Sequence, residues 1–423
     1  MVGLALRAPA GGGGLSPWIA VSPAHFWKDA ITILSALLAA GWLVQAVAAL
    51  RGVPTLPDLT RSGMPLPNLS STQGPDVTVI VPACNEEQCI EATLRSLLSS
   101  TGVRLQIIAV DDRSTDRTGS LMDAVVAEAL AAGGPHTLEV IHNRELPAGW
   151  MGKPHALALA ADRALAPWLL FTDGDMQFDP RAVALGLGYA EAEKADHVVL
   201  AFTLELRSIA ESAIMGAFGA LAFWSVHLWK VADPKARDFF GAGGFNLVRR
   251  QVYEQLGGFS ALRMEVVEDL RLGWKIKRAG YAQRVVLGPG LARIRWIEGA
   301  LGIIGLLEKN GFAGLRYRSG LALLAFLGFA VQIVLPLTAI ALGGWPAIAG
   351  LLVYAAIALA YTANRRIAQA SPWLVVFFAP ATAILFFAIA RSMFLTLTRD
   401  GVEWRGTRYP LDELRRNANR SWR

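Results

Sequence analysis

Three acidic clusters and one lysine have the residue types and spacing to do chemistry. Asp173 and Asp175 flank Gly174 directly after Trp168-Leu169-Leu170-Phe171, an apolar run that reads as a short buried strand. Two carboxylates two residues apart at the carboxyl end of a strand suit a hard divalent cation, Mg²⁺ or Mn²⁺. Such an ion takes a few carboxylate oxygens and leaves positions for phosphate oxygens. The same residues also suit a solvated turn, so their surroundings decide. Pro82-Ala83-Cys84-Asn85-Glu86-Glu87 and Asp111-Asp112-Arg113-Ser114-Thr115-Asp116 each follow another apolar run. Either alone reads as a helix cap. Three such clusters at successive strand ends point to a nucleotide and metal site. Lys153 closes the run Gly149-Trp150-Met151-Gly152 ahead of a helix starting at Pro154. A glycine-flanked lysine near a helix N-terminus suits a diphosphate, although the spacing is not that of a P-loop. Glu268 and Asp269 open an amphipathic helix after the glycine segment at 241–244, where bare backbone lets a ligand come close. At a helix start, that pair is also ordinary dipole chemistry.

The elements that must position these groups alternate. Strands are expected at 77–81, 105–110, 138–141 and 168–171, with helices at 86–99, 116–131 and 154–165. Strands separated by helices imply right-handed crossovers and a mostly parallel α/β sheet. Ligands of such sheets bind beyond the carboxyl ends of the strands, where the polar clusters fall.

Composition separates this region from the rest. Of 423 residues 53% are hydrophobic and 17% charged, an apolar balance for a soluble protein. The net charge of +6 comes with arginines gathered near apolar runs, which fits membrane lipids as a partner. No zinc-finger spacing or basic, aromatic-interleaved motif is present, so no nucleic-acid partner is expected. Cys84 and Cys89, the two cysteines, do not make a disulfide scaffold. Residues 1–29 form an N-terminal segment without periodicity, 30–50 a transmembrane anchor, and 51–76 a linker with five prolines. Arg51 at the end of the anchor puts the following domain, 77–296, in the cytoplasm at the inner (plasma) membrane. The apolar stretch 209–231 is expected to lie in the membrane interface or the core. Residues 297–319 form an amphipathic interfacial segment, followed by transmembrane helices at 320–342, 345–361 and 372–397 and a basic tail at 398–423. Three crossings would put the tail outside; its seven arginines against four acids argue for the inside.

The clusters at 81–87, 110–116 and 173–175, with Glu268-Asp269 behind Gly243-Gly244, make residues 77–286 resemble family 2 glycosyltransferases. The runs Leu146-Pro147-Ala148-Gly149-Trp150-Met151-Gly152-Lys153 and Trp404-Arg405-Gly406-Thr407-Arg408-Tyr409 are similar to membrane-bound members such as hopene-associated and carotenoid glycosyltransferases. The resemblance implies a GT-A-like nucleotide-binding sheet and an inverting, metal-dependent transfer from a UDP- or GDP-sugar. By position, Pro82, Ala83 and Glu86 would hold base and ribose, and Asp111 the base. Asp173 would touch ribose or sugar, Asp175 would bind the metal, and Asp269, beside Glu268, would be the general base. Processive members carry Gln-x-x-Arg-Trp after the base; here Ala292-Arg293-Ile294-Arg295-Trp296 lacks the glutamine, which favours transfer of a single sugar. With membrane helices in the same chain, the expected acceptor is a lipid. The rival readings are a polyprenyl-phosphate transferase or polysaccharide synthase, and a non-catalytic nucleotide-sugar-binding membrane protein.

Overall fold

The computed structural model describes residues 23–68 and 74–421; the segment before residue 23 lies outside the described residues. Helix α1 (Pro23–Gly52) leads into the alternation β1 (Val77–Ala83), α2 (Ile90–Leu98), β2 (Leu105–Asp112), α3 (Thr118–Ala132), β3 (Thr137–Asn143), α4 (Gly152–Ala161) and β4 (Trp168–Phe171). Then come β5 (Gln177–Phe178), α5 (Ala182–Ala192), β6 (His197–Ala201), β7 (Thr203–Leu204), α6 (Ile209–Ala222), β8 (Asn246–Arg249), α7 (Arg250–Gln255), α8 (Glu268–Arg278), β9 (Gln283–Leu287) and β10 (Ala292–Ile294). The last elements are α9 (Gly302–Gly314), α10 (Ser319–Ala341), α11 (Gly344–Ala368), α12 (Phe378–Thr398), β11 (Gly401–Trp404), β12 (Thr407–Pro410) and α13 (Leu411–Ser421).

The main sheet has the order β3-β2-β1-β4-β8-β6-β9. Only β8 runs against its neighbours, β4 and β6; the other pairings are parallel. β1 is buried along its whole length because both faces are covered. Val77, Val79 and Val81 face a core shared with α2, α3 and α5, while Ile80 faces a second core built with α4, α7 and α8. The chain runs from β1 outward to β2 and β3, then crosses to β4 on the other side of β1. The carboxyl ends of β1, β2 and β4 therefore open on one crevice, and each carries one acidic cluster.

Local chemistry moves several expected boundaries. α2 begins at Ile90, not Glu86, because Asn85 takes a left-handed φ of 58° and its side chain accepts the Thr115 N–H. The apolar stretch after Ile209 stops being helical at Ala222. Trp224 and Trp229 instead lie against α1, where a Cβ on Gly41 would come 2.9 Å from Trp224 and one on Gly52 2.3 Å from Trp229. The proline-rich linker is strapped down as far as it is described. Asp58 bridges to Leu287, and a Cβ on Gly188 would come 2.2 Å from the Pro65 carbonyl.

Four stretches are long and apolar enough to cross a membrane: His25–Thr55, Ser319–Ala341, Gly344–Ala368 and Pro372–Thr398. Their contacts sort them. α10 leaves the domain and α11 returns, ending where Asn364 meets Gly219 and Ala370 meets Gly216 of α6. α12 stays against the domain along its length. Its first turns meet Ile209 and Ala213 of α6, and Ser392 bonds the Glu308 carbonyl and the Phe312 N–H of α9. As expected for 372–397, Pro372–Thr398 has the length and hydropathy of a membrane span, and it packs on α6 near its start and on α9 near its end. The expected basic tail is folded as well. β11, β12 and α13 cover the domain, with Arg405 on Glu86 and Asn417 on Glu265. Tail and domain are in direct contact. An impermeant thiol reagent applied to sealed vesicles should label cysteines at Ser120 and Arg416 from one face and a cysteine at Trp345 only from the other. Labelling of positions 120 and 416 from opposite faces would rule this arrangement out.

Candidate active site

The crevice gathers five acidic side chains, Glu86, Asp173, Asp175, Glu268 and Asp269, around three basic ones, Lys153, Lys309 and Arg405. Lys153 is the hub. Its Nζ lies 2.6 Å from Asp173 Oδ1 and 2.5 Å from Glu268 Oε1. α4 brings Lys153 there by starting at Gly152 hard against β2, where a Cβ would come 2.5 Å from Asp112 Oδ2. Gly243 does the same for Asp173, since a Cβ there would come 2.4 Å from Oδ2. Gly241 lets its loop run against Asp269, whose carbonyl oxygen would lie 2.0 Å from an added Cβ. These glycines are set by crowding, not by backbone φ.

The charges are unevenly compensated. Burial alone would lower the Lys153 pKa, but Asp173, Glu268 and Asp269 outweigh it and hold the ammonium well above its ordinary value. Burial works against ionisation of Asp173, yet Lys153 keeps its carboxyl below the ordinary range. Asp175 has no such partner. Burial, then Asp173 and Glu86, push it up to about 7, and its Oδ1 is buried without a hydrogen bond. Asp269 is pushed up to about 7 by burial and by Glu268, with Lys153 opposing. Its Oδ1 accepts the Leu270 N–H at 2.6 Å. An orphaned carboxylate oxygen beside a second carboxylate, with only hard oxygen donors at hand, fits Mg²⁺ or Mn²⁺. Among the described residues, no three acidic, histidine or cysteine side chains converge into a ready-made cage. A cation there would have to draw its remaining oxygens from elsewhere, such as substrate phosphates.

The other expected residues divide. Pro82 and Ala83 line the crevice by backbone, with Gly174 packed so that a Cβ would lie 3.1 Å from Ala83 Cβ. Asp111 lies apart from the acidic cluster. It is 1% exposed, accepts the Ser114 N–H at 3.2 Å and lies 3.0 Å from His142 Nδ1, which links it to Asp123. Arg295 is engaged by Glu211 at 3.7 Å and Glu298 at 3.4 Å. Sequence reasoning missed Lys309 and Arg405. Lys309 reaches the crevice from α9, with its pKa lowered to about 8 by burial and then by Lys153. Its signal was a charge in an otherwise apolar helix. Arg405 comes from the tail, and its signal was the run Trp404–Tyr409.

The family model for glycosyl transferase family 2 matches residues 78–270. A 4,4'-diaponeurosporenoate glycosyltransferase from Staphylococcus haemolyticus (strain JCSC1435) is 32% identical over 103 residues, 24% of this chain and 25% of that protein. The probable glycosyltransferase YdaM of Bacillus subtilis (strain 168) is 29% identical over 218 residues, 49% of this chain and 48% of that one. The chain thus aligns with a quarter and about half the length of these relatives. Mannosyltransferase PcManGT from Pyrobaculum calidifontis, solved with GDP-Man and Mn²⁺, matches with a TM-score of 0.51 at 20% identity over 87% of this chain and 99% of that one, which marks a shared fold.

Removing the hub should be costly. Lys153→Met leaves two carboxylates facing each other without the ammonium that bonds both, and should lower stability by about 3 kcal/mol at neutral pH. The loss should shrink toward acid pH, where Asp173 takes up a proton in the folded state. Thermal melting of the two proteins across pH checks this, and an unchanged midpoint at neutral pH would dismiss the hub.

Proposed function

We propose that this chain, whose residues 78–270 form a glycosyl transferase family 2 domain, moves one sugar from a UDP- or GDP-sugar to a hydroxyl of a membrane lipid, with inversion. The observation that carries the reading is the pairing, in one crevice, of an orphaned Asp175 oxygen with a carboxyl at Asp269 whose pKa stands near 7. One suits a cation on a phosphate; the other suits a base that works near neutral pH.

The transfer makes one C–O bond and breaks another. Lys153 and the residues on the β1 and β4 loops bind and orient the donor's diphosphate. Asp175 and Asp173 would hold Mg²⁺ or Mn²⁺, which supplies positive charge against the leaving diphosphate. Asp269 takes the proton from the acceptor hydroxyl as its oxygen attacks the anomeric carbon. The bond to the nucleoside diphosphate breaks on the opposite face, and the electron pair leaves with that group. A single base suffices for one inverting displacement. Lys153 stays protonated throughout, because the charges around it hold its pKa up. Glu268 fixes Lys153 and leaves proton transfer to Asp269.

A lipid acceptor is supported by where the crevice opens. α9 forms one wall through Lys309, and the same helix packs along α12 at the foot of the apolar helices. The Staphylococcus relative is named for a carotenoid carboxylate, which supports a lipid acceptor but not the hydroxyl itself. Single transfer is supported over processive synthesis by the missing glutamine and by Arg295, whose guanidinium is tied to Glu211 and Glu298. We place 77–296 in the cytoplasm at the inner membrane.

Lipid mass spectrometry of membranes given a UDP- or GDP-sugar, with and without the full chain, tests the reading. A hexose-shifted lipid should appear only with the chain, and excess chelator should abolish it. Nucleotide-sugar turnover that gives no glycolipid would refute the lipid acceptor. Asp269→Asn keeps the side chain's size but cannot take a proton, so transfer should fall at least about a hundredfold while donor binding holds. In the wild type, Asp269 must be ionised to act, so kcat/KM should rise with pH through about 7 and then level off. A mutant with near wild-type turnover would remove Asp269 as the base.

A further inference from the structure

The tail hairpin stands in the crevice without a part in the mechanism above. β11 and β12 pair Trp404 with Thr407, so Arg405-Gly406 is a two-residue turn. Both residues have positive φ, 51° and 74°, the geometry that matches the twist of a tight hairpin. For Arg405 this is a conformation that non-glycine residues seldom adopt. The hairpin is held from several sides. Thr407 Oγ1 accepts from Arg113 Nη1 at 3.1 Å, and Tyr409 Oη accepts the Gly152 N–H at 3.2 Å. The Trp404 ring carries Lys309 Nζ 3.8 Å from its centre. The contacts thus join the hairpin to the loop after β2, the start of α4 and α9. At the tip, Arg405 Nη2 lies 2.8 Å from Glu86 Oε1, and its charge acts on Asp173, Cys84 and Lys309 as well.

We propose that the hairpin 401–410 is the third wall of the donor site and that Arg405 binds the donor's diphosphate, exchanging Glu86 for a phosphate oxygen. This rests on the functional reading above. Three arguments support it. A guanidinium presents paired donors that match phosphate oxygens, and a diphosphate carries more charge than the single carboxylate Arg405 now faces. The arginine sits on a tip braced by three separate contacts besides its own ion pair, so little ordering remains to be done on binding. Lys153, Lys309 and Arg405 also approach the Asp173 carboxylate from three separate elements: α4, α9 and the tail. The tail would then complete a site that the family 2 domain leaves open.

Calorimetry on the full chain in detergent with Mn²⁺ tests this with UDP and GDP as probes, and uridine and guanosine beside them. Arg405→Asn removes the charge while tolerating the left-handed turn. It should weaken binding of the better diphosphate about tenfold or more and leave nucleoside binding unchanged. Arg405→Lys should recover part of the loss. Arg416→Ala, one charge removed from the tail outside the hairpin, should bind as the wild type does. Diphosphate binding in Arg405→Asn equal to wild type would overturn the proposal alone. An equal loss for diphosphate and nucleoside would also overturn it, because the hairpin would then only prop the site. Failure of the wild type to bind either diphosphate would bring down the functional reading as well.

Discussion

The crevice depends on one ammonium group shared by two carboxylates. Lys153 comes from α4, Asp173 from the end of β4 and Glu268 from the start of α8, so one ion-pair cluster ties three elements at the mouth of the core they share. A buried pair of this kind stabilises little by itself, because desolvation offsets attraction. What it does is fix geometry. With Lys153 committed to Asp173 and Glu268, Asp175 and Asp269 are left as the carboxyls without adequate counter-charge, and both stand near 7. Burial first, and then the neighbouring carboxylates, raise both against the pull of Lys153. In the proposed reaction a cation would answer one and the acceptor's proton the other.

The membrane helices and the tail follow from the same economy of position. α10 and α11 go out and back, and α12 then lies along α6 and α9. The tail reaches the crevice from the end of α12. Glu308 anchors that arrangement from α9, holding Arg391 at 3.3 Å and Arg399 at 3.8 Å. Two residues later in the sequence the chain turns into β11, and the hairpin falls over the β1 and β2 loops. Lys309, next to the anchor, is thereby placed against Trp404.

Much of this was legible in the sequence, and the reasons are physical. The strands β1, β2 and β4 are short apolar runs that end abruptly in Asp, Asn and Glu, because a strand buried on both faces has nowhere to put a charge until it leaves the sheet. That sharp boundary is why Asp173, Asp175 and Glu86 could be found before any coordinates. Lys153 was readable from the glycine that its close approach demands. The antiparallel β8 was not, since four residues with no alternation do not reveal direction. Nor was the packing of α12 on α6 and α9: hydropathy measures whether a helix tolerates lipid, not which helices it meets. Arg405 was hidden for a related reason. Nothing within the tail reveals that it will lie over Glu86, which is 319 residues earlier in the chain.

The charge balance of the crevice links these parts to the proposed chemistry. Five acidic side chains face three basic ones, so full ionisation would leave an excess of negative charge in a partly buried space. Such an excess repels a diphosphate unless it is neutralised as the donor arrives, and a divalent cation carries the matching charge. The three basic groups do not fill that role in advance. Lys153 is spent on Asp173 and Glu268, and Arg405 on Glu86. Lys309 is held with its pKa near 8 by burial and by Lys153. A donor entering with its cation would satisfy Asp175, relieve the repulsion between Asp173 and Glu86, and free Arg405 to turn from carboxylate to phosphate. Only Asp269, separated from Asp175 by the Lys153 cluster, would keep its elevated pKa. On this reading, the base stays poised beside the acceptor while the rest of the site is discharged by the donor.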